Sequence, residues 1–249
     1  MHEALIFDVD GTLTSARSMM LDEMARMLRH IIAHFPVFLV TGSDIGKLEG
    51  QVPQDILETA AGLFCCSGNE MWCKGHLIYQ MRHAFADELI SFVEALLAAS
   101  PYRVRTGNHI EERTGSLNVS VVGRNASMLQ RKNYNLHDRA DGERLRLISA
   151  IEERFPQYEA SRGGQISIDI APRGWNKARV LKEVHARLPD AAVQFFGDTI
   201  SHGGNDLPLA AALLADSTKH SVNPVKDPHE TLALLKKRYG TGVLSSEVA

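Results

Sequence analysis

Asp8 and Asp10 lie two residues apart in ALIFDVDGTLTSAR, directly after the apolar run Leu5, Ile6 and Phe7. Two carboxylates so placed can divide a group transfer, one attacking and the other moving a proton. Two more acids follow late in the chain: Asp198 closes the apolar run AVQFFGD, and Asp206 follows the Gly-Gly-Asn turn of SHGGND. Asp8, Asp198 and a backbone carbonyl make a hard, oxygen-rich set suited to Mg2+ and a phosphate ligand. A calcium loop counted from Asp8 fails, because Met19 stands where the bidentate glutamate belongs and the loop glycine is misplaced. Carboxylates alone repel phosphate, so positive charge and hydrogen-bond donors must stand beside the metal. Lys177 in GWNK, and the Thr41 hydroxyl with the turn amides of VTGSD, can supply them.

The elements that must position these residues read as a parallel sheet. ALIFDVD, a helical segment from about Leu21 to Phe35, and PVFLVTGS form a strand, helix and strand whose apolar runs are continuous, as in strands covered on both faces. Acids at the carboxyl ends of such strands share the crevice where ligands of open parallel sheets bind, and Gly11 lets the chain turn Asp10 over it. The pattern returns with helical spacing over Asn176 to Leu188, the strand AVQFFGD and the helix PLAAALLA. Between these flanks lie short β-branched or alternating runs, YRVRTG, SLNVSVVG, PQYEASRGG and QISIDIAP, with helical stretches near His83 to Ala99 and Asp141 to Phe155. We expect an α/β core over residues 1–80 and 173–249, interrupted at 81–172 by an inserted α+β lobe with an antiparallel sheet.

Hydrophobic residues at 44 %, charged residues at 23 % and a formal charge of −3 describe an ordinary globular chain of 249 residues without the basic excess of a nucleic-acid binder. No segment is long and apolar enough to span a bilayer, and Ala4 to Phe7 is cut short by acids rather than continuing as a leader. Cys65, Cys66 and Cys73 are an odd set whose spacing to His76 fits no usual zinc site, which leaves buried thiols and a reducing cytoplasm as the expectation.

Taken in order, FDVDGTLT, GSD, the lysine of GWNK and FFGDTISHGGND resemble the four motifs of the haloacid-dehalogenase superfamily of phosphotransferases. RTGSLNVSVVGR and ISIDIAPRGWNK extend the likeness to its eukaryotic-type phosphomannomutase branch, over nearly the whole chain. The resemblance implies a Rossmann-like core with a C2-type cap. It implies Asp8 as nucleophile, Asp10 as general acid/base, Thr41 and Lys177 as further catalytic positions, and Asp8, Asp10, Asp198 and Asp206 as positions at Mg2+. Arg113, Arg124 and Arg131 match the cap arginines that hold a sugar's distal phosphate; read alone, they would be solvated surface. Arg17, Ser43, Asn118, Ser167 and Asp169 match further positions that contact substrate. The implied reaction interconverts mannose 6-phosphate and mannose 1-phosphate, started by a hexose 1,6-bisphosphate, in a homodimer joined through the cap. Thr41, where the branch more often has glycine, is the usual choice of related phosphatases, so a sugar-phosphate phosphatase stands as the alternative. A non-enzymatic sugar-phosphate or metal binder would not require nucleophile and acid/base together.

Overall fold

Leu5, Ile6 and Phe7 are fully buried in β1 (Glu3–Asp8), in a computed structural model that describes residues 3–16, 18–217 and 219–240. The chain continues through α1 (Asp22–Ile32), β2 (Val37–Val40), α2 (Ile45–Glu49), α3 (Gln54–Thr59) and β3 (Gly62–Cys65), then a hairpin of β4 (Glu70–Cys73) and β5 (His76–Gln80). A second group of elements follows: α4 (Asp87–Ala99), β6 (Ile110–Arg113), β7 (Ser116–Ser120), α5 (Met128–Asp141), α6 (Glu143–Arg154), β8 (Tyr158–Gly163) and β9 (Ser167–Pro172). The chain then completes the first unit with α7 (Val180–Arg187), β10 (Ala192–Gly197), α8 (Leu207–Asp216), β11 (Ser221–Pro224) and α9 (Pro228–Tyr239).

Among the described residues the larger sheet runs β11-β10-β1-β2-β3-β4-β5, parallel from β11 to β3 and antiparallel in the hairpin. β1 lies between β10 and β2, with Phe7 opposite Phe196 and Asp8 opposite Val40. The chain leaves β1 towards β2 on one side and returns as β10 on the other, so the end of β1 is a topological switch point, where ligands of such sheets collect. Helices cover both faces, which is why these strands carry unbroken apolar runs.

The smaller sheet is antiparallel, ordered β6-β7-β9-β8. Leu117, Val119, Ile168 and Ile170 point from one face into a core shared with Val93, Tyr134, Ile148 and Ile151 of α4, α5 and α6. The alternate residues, with Asn118 paired to Asp169 and Ser120 to Ser167, occupy the other face. No helix among the described residues is long and apolar enough to cross a membrane.

One local expectation is corrected, and one helix was not expected. YRVRTG is not a strand: Arg105 folds back so that its Nη2 donates to the Leu97 and Ser100 carbonyls at 3.1 and 3.4 Å, and Thr106 Oγ1 donates to the Val122 carbonyl at 2.6 Å. Side-chain bonds hold this segment, and the strand beside β7 is the charged run Ile110–Arg113. The unexpected helix is α5, which no apolar stripe announces, because its buried residues are Arg131, Tyr134 and Asp138 while Met128, Leu129 and Leu136 are exposed. Its start was legible as a capping box, with Ser127 and Gln130 satisfying each other's backbone amides.

Candidate active site

Asp8 ends β1 with its carboxylate buried, and its Oδ1 accepts from Lys177 Nζ at 2.5 Å. Lys177, fully buried, donates also to Asp206 Oδ1 at 2.7 Å. The other oxygen of Asp206 accepts from the Thr199 amide at 3.1 Å and the Thr199 hydroxyl at 3.0 Å. Lys177 is set by a short helical turn whose Asn176 cap accepts from the Ala178 amide and donates to Glu159 Oε1. Gly11, at φ +101°, takes the turn that only glycine takes freely, and a Cβ there would stand 2.3 Å from Asp198 Oδ2.

Asp8, Asp198 and Asp206 offer carboxylate oxygens all within 4.8 Å of one another. Asp8 Oδ2 is buried without a hydrogen-bond partner among the described residues. A hard, all-oxygen donor set with one buried, unsatisfied oxygen fits a divalent cation such as Mg2+. Burial, with Asp206 and Asp198 adding and Lys177 opposing, holds the Asp8 carboxyl well above its ordinary range. Burial would lower Lys177, but Asp206 and Asp8 outweigh it and keep the ammonium charged. The same crowding, burial first and then Asp206, pushes Asp198 up to about 7 from an ordinary 3.8.

A pH test follows. Between those two values the folded protein keeps a proton that the unfolded chain releases, so without metal, stability falls as pH rises through about 7. A divalent cation requires the ionised carboxylates, so the rise in thermal midpoint with saturating Mg2+ is expected to be larger near about pH 8 than near about pH 6. An equal rise at both would contradict this arrangement of acids.

The Asp10 carboxylate is engaged outside the cluster of Asp8, Asp198 and Asp206. Its Oδ2 accepts from Lys47 Nζ at 2.6 Å and its Oδ1 from Gln51 Nε2 at 2.9 Å. Thr41, buried at the end of β2, accepts the Ser43 amide on its hydroxyl at 3.1 Å, and Ser43 Oγ lies 3.5 Å from Asp10 Oδ2.

Across a crevice of about 800 Å3, lined by both sheets' ends, the polar face of β6, β7 and β9 meets these acids. Asn118 Nδ2 donates to Asp169 Oδ1 at 2.5 Å, and Arg124 Nη1 donates to Asn118 Oδ1 at 2.6 Å and to Ser167 Oγ at 3.4 Å. Arg113 donates from Nη1 to the Gly42 carbonyl at 3.0 Å, tying the smaller sheet to the larger unit beside Thr41. Arg131 also lines the crevice and braces its rim, donating to the carbonyls of Ala126 and Arg124 at 2.9 and 2.8 Å. Of the positions expected at the site, Arg17 lies outside the described residues; the others fall on this crevice or beside the buried lysine.

Several residues here were not foreseen. Glu111 bridges Arg113 Nε at 3.1 Å and Arg124 Nε at 2.7 Å. Arg144 and Arg162 line the same space, and Arg162 joins the two units, its amide donating to the Gly203 carbonyl and its Nη2 to the His202 carbonyl, each at 2.7 Å. Lys47 had a usable signal: Asp44 caps α2 directly after the TGS strand end, which turns the first helical turn towards the crevice. Glu111 had none, because IEER carries no strand alternation of apolar and polar residues.

Other ligand-like groups do not compete. The Val193 amide donates to His220 Nδ1 at 3.0 Å, so His220 Nε2 carries the proton it gives Asp216 Oδ2 at 2.8 Å and offers no lone pair to a metal with His185. Cys65 and Cys66 are buried free thiols, the latter pushed up to about 12 chiefly by burial.

A parallel sheet with acids at its central strand ends, a buried lysine between them and an antiparallel lobe over the crevice define a haloacid-dehalogenase-like fold. A haloacid dehalogenase-like hydrolase from Bacteroides thetaiotaomicron superposes with a TM-score of 0.57 at 13 % identity, over 95 % of this chain and 99 % of its own. The C-terminal domain of C. albicans trehalose-6-phosphate phosphatase does so with a TM-score of 0.65 at 16 % identity, over 96 % and 92 %. Within that fold the chain belongs to the eukaryotic phosphomannomutase family, whose model matches residues 24–239. A phosphomannomutase of Galdieria sulphuraria is 35 % identical over 230 residues, 89 % of this chain and 90 % of the relative.

Proposed function

We propose that this protein is a phosphohexomutase that interconverts mannose 6-phosphate and mannose 1-phosphate. The observation that carries the reading is the connected set Arg113, Asn118, Arg124, Ser167 and Asp169 facing Asp8 across one crevice. A phosphate held at the arginines leaves the sugar's other end at Asp8, and a sugar turned round presents the opposite end. Planar guanidinium groups suit the distal phosphate because they pair with its oxygens bidentately.

In this reading the Asp8 carboxylate attacks phosphorus of a hexose 1,6-bisphosphate, the activator, and the sugar–oxygen leaving group takes a proton from Asp10. The aspartyl phosphate so formed passes its phosphoryl group to the free hydroxyl of a bound monophosphate, whose proton goes to Asp10. Lys177, between Asp8 and Asp206, offsets negative charge at the phosphorus, and the Thr41 hydroxyl and Ser43 bound the same end of the crevice. Mg2+, held by Asp8, Asp10, Asp198 and Asp206, would supply Lewis-acid charge to the transferring group. Arg131 and Arg17 complete the substrate contacts.

The core is residues 1–80 and 173–249, the cap residues 81–172, and closure of the cap excludes water in favour of the sugar. A cytoplasmic homodimer joined through the cap completes the reading. Thr41 favours the second reading, a sugar-phosphate phosphatase in which water takes the phosphoryl group. Incubation with mannose 1-phosphate, Mg2+ and a trace of glucose 1,6-bisphosphate is expected to yield mannose 6-phosphate; free phosphate without isomer would establish the phosphatase.

A further inference from the structure

Lys47 sits in the first turn of α2, its amide donating to the capping Asp44 carboxylate at 2.9 Å. Its ammonium donates to Asp10 Oδ2 at 2.6 Å and to Ser43 Oγ at 2.8 Å. Gln51, buried just beyond α2, donates to Asp10 Oδ1 at 2.9 Å and to Thr14 Oγ1 at 3.0 Å. Both oxygens of the Asp10 carboxylate are therefore engaged by one short segment of chain. The Lys47 side chain keeps 30 % of its surface exposed and lines the crevice, so the ammonium stays within reach of whatever enters.

We propose that Lys47, backed by Gln51, is a positioning residue that withholds Asp10 from water and yields it to a sugar phosphate. The proposal rests on the assignment of Asp10 as acid/base. A carboxylate whose oxygens already accept charge-assisted and amide hydrogen bonds must give one up to take a proton. Water brings no anionic oxygen to take over the Lys47 ammonium; a sugar phosphate does. In the productive step the sugar hydroxyl oxygen bonds to phosphorus, the bond from phosphorus to Asp8 breaks, and the hydroxyl proton passes to the released Asp10 oxygen. In the wasteful step water follows the same course and inorganic phosphate leaves.

The test uses the full-length protein phosphorylated from labelled glucose 1,6-bisphosphate and freed of excess reagent. Loss of a charge-assisted hydrogen bond predicts that Lys47→Met shortens the phosphoenzyme half-life in sugar-free buffer by about tenfold. Gln51→Leu is expected to act in the same direction by less, and Lys47→Arg to restore most of the lifetime. With mannose 1-phosphate present, Lys47→Met is expected to shift product from isomer towards free phosphate, at an unchanged thermal midpoint. An unaltered half-life in both Lys47→Met and Gln51→Leu overturns the proposal. Phosphoenzyme formed from glucose 1,6-bisphosphate as fast in Asp10→Asn as in wild type would overturn the acid/base assignment beneath it. A wild-type phosphoenzyme giving only free phosphate would refute the mutase reading, while the half-life comparison would still decide the role of Lys47.

Discussion

Replacing Asp8 by asparagine is expected to reduce turnover by roughly four orders of magnitude or more, the scale of losing a covalent nucleophile. The side chain keeps its shape, and its amide oxygen can still accept from Lys177 where Asp8 Oδ1 does at 2.5 Å. What disappears is the anionic oxygen proposed to attack phosphorus, so no hydroxylamine-labile label should be recovered on the protein after exposure to labelled glucose 1,6-bisphosphate. Stability should not fall. Burial first, with Asp206 and Asp198 adding, holds the Asp8 carboxyl above its usual range in spite of Lys177, so removing its negative charge relieves more than the lost pairing costs. A thermal midpoint equal to or above that of wild type, with no phosphoenzyme, is the expected pair of results. Label recovered on the Asp8→Asn variant would remove Asp8 from the nucleophile's role.

Lys177→Met should instead damage the fold as well as the chemistry. The ammonium is fully buried and donates to Asp8 and Asp206 together, so an apolar replacement leaves two buried carboxylates facing one another. Breaking a buried pair costs about 3–5 kcal/mol, which in a protein of this size lowers the thermal midpoint by roughly 10 °C. The cost is mostly that of unpaired acids, so the double variant Lys177→Met with Asp8→Asn should recover part of the midpoint. Strict additivity of the two substitutions would mean that Lys177 and Asp8 do not stabilise each other. Scanning calorimetry on the two single variants and the double variant decides between these outcomes.

The parts of the molecule legible in its sequence are those where burial on both faces leaves a largely unbroken apolar run. Asp8 and Asp198 could be placed at strand ends because Leu5 to Phe7 is continuous and the run before Gly197 is broken only by Gln194. The polar face of the smaller sheet was legible in part: Ser167 and Asp169 alternate with Ile168 and Ile170, which enter the core. Where polar side chains do the packing, periodicity is silent. The buried face of α5 is Arg131, Tyr134 and Asp138, with Asp138 paired to Arg144 at 2.8 Å inside the lobe. Arg105 holds its segment through backbone carbonyls, which β-branched neighbours disguised as a strand. Lys47 and Gln51 reach Asp10 from more than thirty residues away, and pairings of that kind depend on how α2 lies over the end of β1 rather than on any local pattern.

The most direct measurement follows the label itself. Protein carrying labelled phosphate from glucose 1,6-bisphosphate is mixed with unlabelled mannose 1-phosphate and Mg2+, and the label is traced in a single turnover. Transfer from Asp8 to the sugar, appearing first in hexose bisphosphate and then in mannose 6-phosphate ahead of inorganic phosphate, is the predicted result. Label that passes straight to inorganic phosphate at a rate indifferent to the sugar would contradict it.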